Sequence, residues 1–313
     1  MSESCGHNGG EDQLELVGVE ELFDRDAPRL SHRVELAGEL RRMLDEELAP
    51  LGKRRRPLWI SKSQMADASG CEAYVQARRA AAFVWSDRAA LGSLADTAAP
   101  AALGGTDPTA AVEQAFDQLV RRGDSLGVFL DGLTTTSREL LVAEAISLVD
   151  EGLVRSWPAM PASWFEHQVS MAATVGGGAV RLRGVPDLLV GRLVHPSGAS
   201  RALLLDFKAG AVRAEHVAEQ RFYGLLATLA CGRPPWRTAT YYLASGQALF
   251  YDISEELLFD TARQVADVAR RSAALEAGDP PTYRVGPSCR WCPIRPGCPA
   301  HSQPAQTAAA GLR

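Results

Sequence analysis

No run in this 313-residue chain is apolar for long enough to cross a bilayer, a task that takes about 20 consecutive residues. The stretch 1–26 lacks the apolar core behind a basic start that marks an export signal, so a cytoplasmic location is expected. Cysteine is scarce. Six in a chain of this length build no disulfide framework, and in a reducing cytosol they read as thiols or metal ligands. No repeat period is visible. What the chain does have is the balance of a folded soluble protein, 46% hydrophobic and 23% charged residues, which excludes a fibrous, collagen-like or wholly disordered chain.

The net charge of −5 is unevenly spread. Eight acids against one base, Arg25, give residues 1–26 a charge of −7, which leaves +2 for the rest. The acidic lead reads as a solvated tail and the body as mildly basic, a balance that permits nucleic acid without arguing for it.

Leu36, Leu40, Met43, Leu44 and Leu48 form one apolar stripe and predict a helix that ends by residues 50–52. The basic run Lys53-Arg54-Arg55-Arg56 that follows either touches phosphates or is a solvated charge cluster. Ser61 or Ser63 caps a helix expected over 64–84. Pro100 is expected to break the Ala-rich stretch 89–105, and two or three helices fill 109–154. After Pro158 strands are expected over 164–175, 179–194 and 201–208, with turns at Gly176-Gly177-Gly178 and His195-Pro196-Ser197-Gly198. A helix over 214–231, a hairpin of 238–244 with 248–253, and a helix from Ser254 to about Gly278 complete an α/β pattern with an antiparallel start.

A hairpin symmetric about the midpoint of Pro196 and Ser197 makes opposed residue numbers sum to 393, which sets Asp187 across from Asp206. Carboxylates so opposed repel, and either one takes up a proton or a cation sits between them. Lys208, two residues on from Asp206, points to the same face. Two carboxylates and an ammonium on one face suit a hard divalent cation and a phosphate; the plain alternative is a surface salt bridge. The runs Ala202-Leu203-Leu204-Leu205 and Leu188-Leu189-Val190 favour the first reading, because charges embedded in apolar sequence seldom lack a task.

Arg183-Gly184-Val185-Pro186-Asp187, followed by Leu204-Leu205-Asp206-Phe207-Lys208, resembles the G-x-x-D … (D/E)-x-K core of the PD-(D/E)XK nuclease superfamily. In the next helix Gln220-Arg221-Phe222-Tyr223 looks like the Q-x-x-x-Y signature of its RecB-like branch, here with two intervening residues in place of three. Glu219 has the branch's spacing to Tyr223 but is a different residue type. Cys289, Cys292 and Cys298, with Cys71 far upstream, resemble the iron–sulfur clasp of AddB-type and CRISPR-adaptation nucleases of that branch. Four thiolates suit a 4Fe–4S cluster or tetrahedral zinc alike on ligand type. The open spacing, with Pro293, Pro296 and Pro299, favours iron–sulfur. Trp59-Ile60-Ser61-Lys62-Ser63 resembles the S-x-S start of the branch's first helix, and Cys5 and Cys231 read as free thiols.

The branch carries a metal-binding His in a G-x-x-x-H pattern, and Gly92-Ser93-Leu94-Ala95-Asp96 puts Asp96 at that place. Asp96 is then either a magnesium or manganese ligand or the mark of an altered site. His167 is either a substitute ligand or a surface histidine, and Glu166 resembles the acid that opens the branch's first strand.

The resemblance spans about residues 58–301 and implies an α/β, PD-(D/E)XK restriction-endonuclease-like core, a mixed sheet flanked by helices, with an N-terminal helical region. The expected organisation is a tail (1–26), a helix and basic linker (27–57), a helical region with the first cluster cysteine (58–160), the nuclease core (161–285), the cysteine clasp (286–301) and a flexible tail (302–313). The implied chemistry is exonucleolytic hydrolysis of DNA phosphodiesters. Asp187 and Asp206, joined by Asp96, hold Mg²⁺ or Mn²⁺. Lys208 positions the attacking water or stabilises charge on the phosphate, and Gln220 and Tyr223 orient the strand or Lys208. The implied substrate is single-stranded or frayed DNA ends in repair or recombination. The chain has no G-x-x-x-x-G-K-S/T loop, so a helicase partner would be a separate chain. Two rivals stand beside this reading: a DNA-binding module without hydrolysis, and a subunit active only beside such a helicase.

Overall fold

Helices and strands alternate much as the periodicities predict in a computed structural model that describes residues 16–24, 33–68, 70–158, 160–193 and 202–302. Helices α1 (Val19–Leu22) and α2 (Leu36–Leu48) precede strand β1 (Leu58–Ile60), which α3 (Lys62–Asp67) and α4 (Glu72–Ala80) follow. A helical block comes next: α5 (Asp87–Leu103), α6 (Pro108–Arg122), α7 (Ser125–Asp131) and α8 (Thr135–Val149), closed by a π turn at Asp150–Val154. Strands β2 (Phe165–His167), β3 (Met171–Val175), β4 (Val180–Gly184), β5 (Leu188–Val190) and β6 (Leu203–Lys208) lead into α9 (Glu215–Cys231). The chain then adds β7 (Arg237–Tyr242), β8 (Gln247–Asp252), α10 (Glu255–Glu276) and the short α11 (Pro299–Ser302).

The strands form two sheets, one ordered β1-β4-β3 and the other β2-β5-β6-β7-β8. β1 runs parallel to β4 and β6 parallel to β7. The second parallel pair needs a crossover, and α9 supplies it. Because side chains alternate along a strand, β6 serves two cores. Leu203, Leu205 and Phe207 join the helical block, while Leu204 joins a second core built on α2, α9 and α10. With both faces covered, β6 reads as the continuous apolar run typical of a buried strand, interrupted by Asp206.

The β5–β6 register is Leu188↔Leu205, Leu189↔Leu204 and Val190↔Leu203, so opposed numbers sum to 393 as the hairpin symmetry predicts; the turn at 195–198 lies outside the described residues. The strands expected over 164–175 and 179–194 each divide between the two sheets. At Gln168, whose φ is 51°, the chain leaves β2 and re-enters the other sheet as β3. At Pro186, which has no N–H to give a ladder, it crosses back from β4 to β5.

Three further expectations need correction. The helix expected over 64–84 breaks between α3 and α4, with Cys71 as the N-cap of the second. Pro100 does not end α5: the helix runs through it to Leu103 at the cost of one hydrogen bond to the residue four before, and the Pro100 carbonyl still accepts from the Gly104 N–H at 3.0 Å. The acidic lead is not a solvated tail throughout: Val17 bridges Ala248, and Val19 and Leu22 are buried. Arg237, itself buried, donates to the carbonyls of Glu21 (2.9 Å) and Leu22 (3.1 Å) at the end of α1. Carbonyls at the end of a helix carry partial negative charge and accept a cation readily. Cys5 and the tail from 303 lie outside the described residues.

Candidate functional site

The hairpin carries Asp187 to the start of β5 and Asp206 to the buried middle of the sheet. The Phe207 N–H donates to Asp187 Oδ2 at 2.7 Å, which ties the two acidic positions across the ladder. Asp206 has no exposed surface. Lys208 points to the same face, and its Nζ lies 2.5 Å from Asp206 Oδ2. Asp206 Oδ1 is held by a second ammonium, that of Lys62. Lys62 is the first residue of α3, placed there because Ser61 caps the helix, its N–H donating to Gln64 Oε1 at 2.9 Å.

From α9, Glu219 Oε2 approaches Lys208 Nζ at 3.1 Å and Lys62 Nζ at 3.8 Å. Tyr223, one turn on, donates its hydroxyl to Val185 O at 2.9 Å, lies 3.4 Å from Asp206 Oδ1, and presents its ring 5.3 Å from Lys62 Nζ. Glu219 and Tyr223 share a face because they are four apart. Gln220 is rotated away: its Nε2 donates to Thr240 Oγ1 of β7 at 2.9 Å, and it makes no hydrogen bond to Lys208. The position expected of Gln220 at the site is therefore filled by Glu219. Gly184 explains its own place in the motif, since a Cβ there would lie 2.9 Å from both Tyr223 and Leu226 and push α9 off the sheet.

The electrostatics follow from burial and neighbours. Burial, then the charge of Asp206, pushes the Asp187 carboxyl up to about 7. Burial and the charges of Asp187 and Asp206 raise Asp96 well above the usual carboxylate range, so α5 does bring Asp96 near the pair. For Asp206 burial acts upward too, but the Lys62 and Lys208 ammoniums outweigh it and hold the group low. Burial would lower both lysines, yet the acids around them win and raise both. His216, on the turn of α9 before Glu219, is depressed to about 4 by burial and by Lys208, and its Nδ1 lies 2.8 Å from the Tyr242 hydroxyl. His167 pairs with Leu188 in the ladder beside Asp187, half-buried, with Nδ1 unpartnered and its pKa lowered by burial. Glu166, its neighbour, is exposed.

Sequence reasoning missed Lys62 as a site residue. It stands 144 positions before Asp206 and meets it only through the packing of α3. Glu219 had one signal, its spacing to Tyr223.

A family model of the PD-(D/E)XK nuclease superfamily matches residues 60–299. The chain belongs to this superfamily. A search of curated proteins finds no match. PD-(D/E)XK proteins are nucleases that typically use Mg²⁺ or Mn²⁺, and the donors here suit such an ion. They are hard carboxylate oxygens, and Asp96 and Asp187 are both raised by burial and then by neighbouring carboxylate charge, which a cation relieves. Among the described residues, no group of three or more His, Cys, Asp or Glu side chains is disposed to hold a metal as placed; at Asp206 two lysines occupy the oxygens instead.

Cys71, Cys289, Cys292 and Cys298 line one small cavity with Tyr74 and His301. Protein contacts hold the Cys71 end of α4 to α10 and the segment after it: Arg271 forks onto Glu72 with two bonds of 2.6 Å, the Thr282 N–H donates to Glu72 Oε2 at 2.7 Å, and the Ala73 N–H donates to Thr282 O at 3.2 Å. Cys231 lies on α9, away from this cavity.

Proposed function

We propose that this chain is a divalent-cation-dependent deoxyribonuclease, an exonuclease of the RecB-like branch that acts on single-stranded or frayed DNA ends in repair or recombination. The observation that supports it best is the buried set of Asp187 before β5, Asp206 within β6 and Asp96 on α5, gathered about Lys208 and Lys62. Asp187 and Asp206, joined by Asp96, would hold a magnesium-class ion in exchange for a lysine contact at Asp206, and the ion would supply Lewis acidity toward the phosphoryl group. Lys208 stabilises negative charge that builds on the phosphate, and Glu219 holds its Nζ in place. Tyr223 fixes the Val185 carbonyl, and through it the turn that carries Asp187. The Phe207 N–H holds one oxygen of Asp187 and so aims the other. Gln220 anchors α9 to β7 and acts on the site only through the helix.

The four cysteines fit a structural 4Fe–4S cluster, with zinc as the second choice, since four thiols and His301 line one small cavity. A cytoplasmic location and a separate helicase partner complete the reading.

The test is digestion of end-labelled single-stranded DNA with Mn²⁺ or Mg²⁺. Cleavage is expected to stop with chelator and to fall at least about 10²-fold in Lys208→Ala. A folded protein that cuts nothing alone would leave the DNA-binding module or the helicase-dependent subunit.

A further inference from the structure

The outer face of the sheet β1-β4-β3 carries an arrangement that neither core nor site uses. Alternation along β4 buries Val180 and Leu182 and leaves Arg181 and Arg183 exposed. On β1 it leaves Trp59, 48% exposed, beside Arg181 in register, with the guanidinium 5.0 Å from the ring centre. On the other side, opposite Arg181 and Arg183, β3 exposes only Thr174 and Ala172, a flat floor of small side chains. Immediately before β1 come Lys53, Arg54, Arg55 and Arg56, which line one recess with Trp59. Glu276 neutralises Arg54 at 2.5 Å. Lys53, Arg55, Arg56 and Arg183 are exposed and have no acidic partner among the described residues.

We infer that this face is a track for single-stranded nucleic acid that leads into the active site. The guanidiniums take phosphates, and Trp59, backed by Arg181, offers a base a stacking surface, the combination that binds single strands without reading sequence. Both track strands run toward the site: Trp59 is three residues before Lys62, and Arg183 four before Asp187, a reach of at most about 14 Å. An uncharged exposed tryptophan on a salt-bridged surface would carry no such meaning. Here Lys53, Arg55, Arg56 and Arg183 lack acids among the described residues and Trp59 stays half exposed beside Arg181, so the charge complement is a polyanion with unstacked bases. The inference rests on the nuclease reading and names the path its substrate takes.

The experiment measures binding of a labelled single-stranded oligonucleotide by fluorescence anisotropy in chelator, across a range of salt. Trp59→Ala is expected to weaken binding about tenfold, with Trp59→Phe restoring most of it. The double variant Arg181→Ala/Arg183→Ala is expected to reduce the slope of log affinity against log salt by about 1.4. Metal-dependent hydrolysis of bis(4-nitrophenyl) phosphate, too small to reach the sheet, should be unchanged in all three and reports that the fold is intact. Wild-type affinity and salt slope in these variants would overturn the track. Equal affinity for duplex and single strand, equally lost, would overturn the single-strand assignment. If the variants bind as expected but wild type hydrolyses neither substrate, the track stands and the nuclease reading fails.

Discussion

Lys62 and Lys208 divide the two oxygens of a carboxylate that has no contact with water. Taking one ammonium away leaves a buried charge half compensated, so Lys62→Met is expected to lower stability by about 3 kcal/mol at neutral pH. Urea unfolding in chelator reads this loss, and saturating Mn²⁺ should shrink it by supplying the missing positive charge; an equal loss with and without Mn²⁺ would argue that no cation binds beside Asp206. His216 carries a pH signature. Its folded pKa, about 4, lies below the ordinary histidine value of 6.5, so the unfolded chain binds the proton more tightly. Its contribution is fully present above about pH 6.5 and is lost as pH falls toward 4. Subtracting the stability of His216→Gln from wild type at each pH should isolate that slope. Asp187, Asp206 and Lys208 were legible in the sequence because a hairpin with a strand's period of two, set in apolar surroundings, determines which side chains share a face. Lys62 was not, because its partner is chosen by tertiary packing. Glu219 was half legible: spacing singled it out and residue type argued against it.

At the scale of elements, the 3.6-residue pattern located α2 and α10 within a residue or two, since each buries one stripe against a core; α9 lies where an amphipathic helix is expected, but it buries every residue from Phe222 to Leu229 and is a core helix over that length. The sheets were harder to read. One continuous β-rich run supplies strands to two sheets, and only Gln168 and Pro186 mark the transfers. The π turn after α8 left no signal in the apolar pattern, yet its geometry is demanding. Tyr241 donates its hydroxyl to Gly152 O at 2.6 Å, and a Cβ on Gly152 would lie 1.9 Å from the Leu243 carbonyl oxygen. Gly152→Ala must therefore separate the helical block from β7, and a loss of about 2–4 kcal/mol is expected. Gly38, exposed inside α2 with open space around it, is the control. Gly38→Ala should raise stability by up to about 1 kcal/mol. Thermal unfolding of the pair tests whether close backbone approach, rather than glycine content, is what matters at residue 152.

Across the whole molecule, the site lies on the sheet where the two cores meet, with the helical block on one face and α9 on the other. The proposed cysteine clasp would join α4 to the segment after α10, and the fork of Arg271 on Glu72 joins α4 to α10 itself without any cofactor. Protein purified without oxygen is expected to absorb in the visible and to lose that absorbance in Cys289→Ser, while the Glu72 contacts keep the core closed enough to unfold cooperatively. A colourless protein holding one zinc would select the other thiolate site. The order of the motifs was legible in sequence; the latch was not, because an ion pair between α4 and α10 leaves no periodic trace.

Strand β8 ends its sheet, with β7 on one side only. Its other side meets Val17, which exchanges two backbone hydrogen bonds of 2.9 Å with Ala248 while α1, gripped by Arg237, covers the ground nearby. A bare strand edge is a template on which a second chain can add. The acidic segment thus acts as a selvedge, and trimming the chain through residue 24 should turn a monodisperse protein into one that self-associates along β8, visible by light scattering at constant secondary-structure content.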